Sequence, residues 1–304
     1  MKRSLPARWR LLVWIGGAIA LWLPVTPRPS GRLVEYLFDL MHVPLFALLT
    51  FTVWHLRPRW KVLGAMALVV LLVELIQPVL GREAGSRDAF LGLAGVGIAL
   101  AFHAASARDA RRGAWRALGI ALLVAVLFPL APLGLDRYEA GRAFPLLASF
   151  RSRMETGRWR GRGCRLTRAR TPSGWSLQME VTQDLEYPGA FLVEAPRDWS
   201  QMKELCVALF WPGPGTREFW LRADDRPDSP PYADRVQTVY LLAPGVNRLS
   251  VRRSDWTTTP SGRPFHFGHV VSLGLFFGEA ARGERVAVQE VRLHLETPPT
   301  SEKH

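Results

Sequence analysis

The chain has 304 residues, 48% of them hydrophobic and 21% charged, a composition that by itself describes a globular protein of one or two domains. Its 12 Trp and 15 Phe exclude an intrinsically disordered chain, and its 2 Cys exclude a disulfide scaffold or a four-thiolate zinc module. The 39 Lys and Arg against 26 Asp and Glu give a formal charge of +13, which invites a nucleic-acid or membrane-surface partner until the charge is located along the chain.

Windows of about 19 residues divide the chain into two unlike parts near residue 135. In the first, uncharged runs cover residues 11–27, 40–56, 62–81, 89–107 and 117–135, with Glu74 the one interruption of the third. Each approaches the roughly 20 residues that cross a bilayer as helix, so the sequence predicts a domain of five transmembrane helices over residues 1–135. The first run follows Lys2 and Arg3 as a signal peptide would. Four further spans follow and no convincing small-residue cleavage site ends it, which favours an uncleaved anchor.

The basic residues then set an orientation, because Lys- and Arg-rich connections stay cytoplasmic. Three segments are strongly basic: the start (Lys2, Arg3, Arg8, Arg10), the second-to-third connection (Arg57, Arg59, Lys61) and the fourth-to-fifth (Arg108, Arg111, Arg112, Arg116). The alternate connections hold Arg28, Arg32, Glu35 and Asp39, then Arg82, Glu83, Arg87 and Asp88, and are close to neutral. The expectation is a multi-pass membrane protein with a cytoplasmic amino terminus. Everything after residue 136 then lies outside, which argues against a nucleic-acid partner.

Ionisable groups inside a span are functional candidates by default. Glu74 sits about seven residues, roughly 10 Å, below the outer end of the third helix, with Gln77 at i+3 on the same face. His42 opens the second helix from outside, with Asp39 three residues before it, and Arg82 and Asp88 lie in the loop GREAGSRD. The topology gathers all six near one surface. A protonated Glu74 with His42 as base would suit acid–base chemistry, while Asp39, Gln77, Arg82 and Asp88 would bind substrate or headgroup. The purely structural alternative is that these groups pair to keep helices in register. A His with carboxylates could also hold a divalent cation, but no metal ligand set or cofactor is assigned.

These residues resemble the VanZ-like family of bacterial membrane proteins, whose members carry an Asp and His at the head of one helix, then ExxQ, then GRx5D running into a glycine-containing helix. The matching positions are Asp39 and His42, Glu74 and Gln77 in ELIQ, Gly81 and Arg82, Asp88, and Gly95, over roughly residues 10–135. Two departures stand out: Asp39 is three rather than four residues before the His and is not followed by Lys, and Gly92 stands where the family commonly has Asn. The resemblance implies cell-envelope physiology and a link to glycopeptide antibiotic resistance, without implying a defined reaction.

After a linker expected at 136–149, apolar segments shorten to five to eight residues separated by turn signals such as Gly213 to Gly215 and Pro244-Gly245. Strands are predicted at 175–181, 190–194, 204–211, 218–222, 237–242, 248–251, 270–277 and 286–295. Together they predict an all-β, jelly-roll-like sandwich over 150–297, with a flexible tail at 298–304. The strand-turn rhythm is similar to galactose-binding-like sandwiches and carbohydrate-binding modules.

Trp199, Trp211, Trp220 and Trp256 could stack on sugar rings or fill the core. The loop with Asp224, Asp225, Asp228 and Asp234 reads as solvated, with calcium binding as the alternative. Arg151, Arg153, Arg158, Arg160, Arg162, Arg165, Arg168 and Arg170 form a basic stretch, either a solvated strand face or a contact for anionic lipid. An oxidising exterior permits a Cys164–Cys206 disulfide, with free thiols the equal alternative. The expected partners are membrane lipids and a lipid-linked or amphiphilic envelope molecule or glycan. Whether the chain is an enzyme stays open, the alternative being a non-enzymatic anchored adaptor for glycan or protein.

Overall fold

The computed structural model describes residues 31–54, 59–76, 86–106, 110–171, 174–196, 198–227 and 231–296, and the chain divides into two compact units, 1–134 and 135–304. The predicted span 11–27 and tail 298–304 lie outside the described residues.

The first unit is helical: α1 (Arg32–Leu40), α2 (His42–Trp54), α3 (Arg59–Ile76), α4 (Ser86–Ser106), α5 (Arg112–Leu127) and the start of α6 (Leu130–Ala143). Three stretches are long and apolar enough to cross a membrane: Arg32–Trp54, Ser86–Ser106 and Arg112–Ala143, while α3 contributes the shorter apolar helix Leu63–Leu75. The helix expected from residue 40 begins at Arg32, so Asp39 is already helical when His42 arrives. Val43, Phe46, Met66, Val70, Leu91, Ala94, Val96 and Val126 are buried between helices. Leu63, Leu68, Leu71, Leu72 and Leu75 of α3 are exposed.

Two small residues let α4 close on α2. A Cβ at Gly95 would overlap the Val43 carbonyl oxygen, and one at Gly92 would stand 3.0 Å from the Phe46 ring. Helix ends with similar predicted placement also meet: Arg87 pairs with Asp39 at 3.4 Å, the Tyr36 hydroxyl donates to Val126 O at 2.5 Å, and the Trp54 and His103 rings lie 4.5 Å apart.

The expected linker 136–149 is ordered structure instead. Helix α6 runs through it to Ala143 and β1 (Leu146–Ala148) follows. Within it Asp136 is buried and takes Arg158 in a two-pronged ion pair, Nε–Oδ2 3.0 Å and Nη2–Oδ1 2.5 Å, and β1 pairs with the strand Arg285–Leu295. A short helix α7 (Arg153–Thr156) is capped by Ser152 and Glu155.

The strands are β2 (Trp159–Arg162), β3 (Cys164–Thr171), β4 (Gly174–Val181), β5 (Gly189–Leu192), β6 (Met202–Trp211), β7 (Arg217–Asp224), β8 (Val236–Leu242), β9 (Gly245–Arg252), β10 (Ser272–Phe277) and β11 (Arg285–Leu295). They form two antiparallel sheets. The first has the order β3-β4-β11-β6-β9, with β1 also on β11, and the second β2-β5-β10-β7-β8. Alternation supplies the core: Leu177, Met179, Leu205, Val207, Leu209 and Val288 from the first sheet meet Leu192, Phe219, Leu221, Leu273 and Leu275 from the second. Strands β1, β2 and β3 were not anticipated, because their sequences read as linker and arginine stretch rather than as apolar runs.

Candidate functional site

The six positions singled out in the helical half are only partly described. Asp39 closes α1, His42 opens α2 and Asp88 lies in the first turn of α4. All three are less than 5% exposed, at 3%, 4% and 1%. The Nδ1 of His42 lies 2.8 Å from the Asp39 backbone oxygen, so the ring is bonded to the main chain of the preceding helix. The Asp39 carboxylate takes Arg87, a residue the sequence reading had not chosen. Glu74 is half-buried near the end of α3. Gln77, Gly81 and Arg82 lie outside the described residues, so of the ExxQ and GRx5D block only Glu74 and Asp88 are described.

In the sandwich, the outward face of the second sheet carries a different constellation. Pairing places Arg162, Gly189, Phe276, Trp220 and Val239 in one row across five strands, and Arg160, Phe191, Gly274, Arg222 and Gln237 in the next. The glycines are needed there. A Cβ at Gly274 or Gly189 would collide with the Phe276 ring, which instead lies across the sheet and meets Phe191 edge-on at 4.7 Å. This ring belongs to a cleft of about 90 Å³ lined by Arg162, Tyr187, Trp220, Arg222, Tyr232, Arg235, Gln237 and Phe276.

The aromatic walls are held in place. Trp220 donates its indole N–H to Glu218 Oε1 at 2.6 Å and meets Tyr187 edge-on at 5.5 Å. Tyr187 itself takes a φ of 56°, in the left-handed region where a non-glycine residue stores strain of about 1–3 kcal/mol. Tyr232 stands at the rim with the Arg235 guanidinium 5.3 Å over its ring. Burial, and then the positive charge of neighbouring Arg222, push the Arg235 guanidinium below the usual arginine value, with Arg162 adding to the repulsion. Such a cleft combines apolar ring faces with charged and amide donors, the combination that takes an amphipathic ring such as a sugar.

The other tryptophans singled out from sequence are core. Trp199 and Trp256 are fully buried, and Trp211 is buried with its indole N–H on Gly215 O. The acidic loop is not solvated either. Asp225 takes both Nη atoms of Arg263 at 2.6 and 2.7 Å, Asp234 takes Arg263 Nε and Arg226, and Asp224 takes Arg222 and Ser272. Asp228 lies outside the described residues. Burial opposes the Asp225 charge, but the bonds from Arg263 and from the His266 N–H hold its carboxyl below the usual carboxylate value.

The arginine stretch likewise divides by neighbour rather than by charge. Arg158 is buried on Asp136. Arg165 pairs with Glu180. Arg168 donates to the Phe150 and Arg151 carbonyls and covers one face of Trp175 at 3.4 Å, and Arg162 enters the cleft. The two cysteines are free thiols. Strands β4 and β11 lie between β3 and β6, a lateral separation of about 14 Å at the usual strand spacing, far beyond disulfide reach. Cys164 packs against the core, whereas Cys206 faces outward between buried Leu205 and Val207.

A metal ligand set was not assigned from sequence. Among the described residues, the pairing of β6 with β11 brings one ligand atom each of Glu204, Cys206 and His294 within 4.8 Å of one another, a donor set suited to a borderline ion such as zinc.

No family model and no curated protein matches the chain. Among solved structures, an exo-β-agarase is similar at 14% identity and TM-score 0.41 over 50% of this chain, which spans only 25% of the enzyme. A family 11 carbohydrate-binding module from Clostridium thermocellum, solved with a mixed-linked β-1,3-1,4 tetrasaccharide, is similar at 13% identity and TM-score 0.38, over 50% of this chain and 96% of the module. A mannan-recognising carbohydrate-binding module is similar at 14% identity and TM-score 0.33, over 49% and 95%.

Proposed function

We propose that this chain is a membrane-anchored glycan-binding protein, in which apolar helices hold a β-sandwich whose second sheet carries the binding face. The observation that supports this reading is the cleft of Trp220, Tyr187, Tyr232 and Phe276 edged by arginines and Gln237. Ring faces can cover the C–H face of a sugar while the polar rim bonds its substituents. The helical unit then acts as anchor, in a multi-pass inner-membrane orientation with the sandwich outside. The test is binding of the full chain in detergent to a panel of neutral and acidic polysaccharides. Trp220→Ala should weaken binding by roughly tenfold, equivalent to about 1.4 kcal/mol, without changing the unfolding midpoint. Equal binding by wild type and variant would sink the proposal.

A second reading gives the helical unit a role of its own, and the burial of Asp39, His42 and Asp88 favours it, since such groups are costly within apolar helices. On this reading the unit is VanZ-like. It handles a lipid-linked or amphiphilic envelope molecule, with Glu74 and His42 as acid and base and Asp39, Gln77, Arg82 and Asp88 as binding groups, in a setting of glycopeptide resistance. Glu74→Gln, His42→Ala and Arg82→Ala, each with intact expression, should alter the envelope phenotype. Three normal phenotypes would remove this second role and leave the anchor.

A further inference from the structure

The cleft on the second sheet is rich in cationic donors and has no anionic acceptor in its lining. Arg162, Arg222 and Arg235 converge on it from β2, β7 and the end of the 3₁₀ turn Tyr232–Asp234, and no carboxylate lines it. Arg222 is 4% exposed. It spends its Nε on Asp224 Oδ1 at 2.8 Å, and the other Asp224 oxygen is taken by the Ser272 hydroxyl. Arg222 Nη2 and Arg235 Nε are buried and, among the described residues, have no hydrogen-bond acceptor. Three arginines thus line a cleft of about 90 Å³ that no carboxylate enters, those of Asp224 and Glu218 being bonded to Arg222 and to the Trp220 indole.

Buried guanidinium donors without acceptors are costly, because desolvation of the charged group is not repaid. Other arginines of this sandwich face carboxylates: Arg158 has Asp136, Arg263 has Asp225 and Asp234, and Arg165 has Glu180. Of the three buried guanidinium nitrogens without an acceptor among the described residues, one is Arg217 Nε, on a group whose Nη atoms bond Glu279 O and Glu284, and the other two coincide with the aromatic cleft and with a Tyr187 backbone held in the left-handed region. A neutral sugar hydroxyl does not compensate charge, and its donor O–H finds no carboxylate here. A planar or tetrahedral oxyanion compensates the charge and accepts from both unpaired donors, since the fork of a guanidinium matches two of its oxygens.

Resting on the glycan-binding reading above, we propose that this cleft selects acidic glycans. Arg162, Arg222 and Arg235 clamp an oxyanion substituent, a uronate carboxylate or a sulfate ester, while the sugar ring that bears it lies against Trp220 and Tyr187. The acidic group thereby supplies the acceptors that Arg222 Nη2 and Arg235 Nε lack.

The experiment uses the full chain in detergent and two matched pairs of probes: polygalacturonate against its fully methyl-esterified form, and a sulfated carrageenan against agarose. Affinity is measured at 150 mM salt. The acidic member of at least one pair should bind ten times or more tighter than its neutral partner, and the pair that discriminates tells carboxylate from sulfate. Arg235→Gln and Arg222→Gln should bring the acidic probe to the level of the neutral one. Arg162→Gln, at an exposed strand position that carries no folding contact in the core, should lower it at least threefold with an unchanged unfolding midpoint. Arg165→Gln on the other sheet should not change it. Equal binding of both members, lost in Trp220→Ala, would overturn selection of acidic glycans while leaving glycan binding intact. Acidic binding that survives Arg162→Gln and Arg235→Gln would overturn it by placing the charge contact elsewhere. Binding to none of the four probes would overturn it as well, and glycan binding itself would then stand or fall on the wider polysaccharide panel.

Discussion

Asp225 and Arg263 show how one ion pair replaces what the sequence presents as a solvated acidic loop. The Asp225 side chain is fully buried and accepts two of the five hydrogen bonds that Arg263 donates, so removing its charge leaves that guanidinium short of one anionic partner. Breaking a buried pair on one side costs about 3–5 kcal/mol, and Asp225→Asn should lower sandwich stability on that scale in thermal unfolding followed by tryptophan fluorescence. The pH dependence follows from the direction of the shift. A carboxyl held below its unfolded value of 3.8 contributes stability that is present above that value and is lost as pH falls through the folded one. The unfolding midpoint should therefore drop on acidification below about pH 4, and Asp225→Asn should flatten that limb. A midpoint indifferent to acid in the wild type would contradict this account.

The cysteines give a second prediction at the same scale. Burial pushes the Cys164 thiol up to about 12, and burial followed by the nearby Glu204 carboxylate raises Cys206. At pH 8 the Cys164 thiolate is then on the order of one part in ten thousand. Iodoacetamide should label the native protein slowly at Cys164 and label both cysteines after unfolding without reductant. A disulfide-linked species by mass would refute the free-thiol geometry.

Among the elements, α4 depends on its glycines. A Cβ at Gly95 meets the Val43 carbonyl, which is backbone and cannot rotate away, whereas nothing lies within 4 Å of one at Gly113 on α5. Gly95→Ala should therefore destabilise the helical unit by roughly 1–3 kcal/mol, as over-packing does, and Gly113→Ala should be neutral or slightly stabilising through helix propensity. Unfolding in graded denaturing detergent distinguishes the two. Much at this scale was legible: apolar runs marked α2, α4 and α5, and short apolar segments between turn signals marked β4 through β11. Strands β2 and β3 were hidden because Arg160, Arg162, Arg165 and Arg170 point outward while the inward positions are few. The helix through 136–143 was hidden because the bonds of its Asp136 go to Arg158, a residue 22 positions away.

For the whole molecule, the +13 charge resolves into parts of different meaning. The three basic segments hold eleven Lys or Arg and one acid, or +10; the neutral connections with Glu74 hold four against five, or −1; and residues from 134 onward hold twenty-four against twenty, or +4. On the proposed reading most of the excess is an orientation signal. Reporters fused after residue 60 and after residue 140 should report cytoplasm and exterior respectively. A cytoplasmic reporter at 140 would place the cleft where envelope glycans do not reach.

The sequence by itself determined which segments are apolar enough for a membrane and which alternate as strands, because hydropathy and period are properties of neighbours along the chain. Tertiary structure alone decided which of many arginines matter. Arg162, Arg222 and Arg235 are scattered over 74 positions of sequence, and only the strand order β2-β5-β10-β7-β8 brings them to one cleft. The same pairing decided that Trp220 faces outward while Trp199 and Trp256 fill the core, and that Cys164 and Cys206 stay apart. Cross-strand neighbours are fixed by partners distant along the chain, and no local pattern records them.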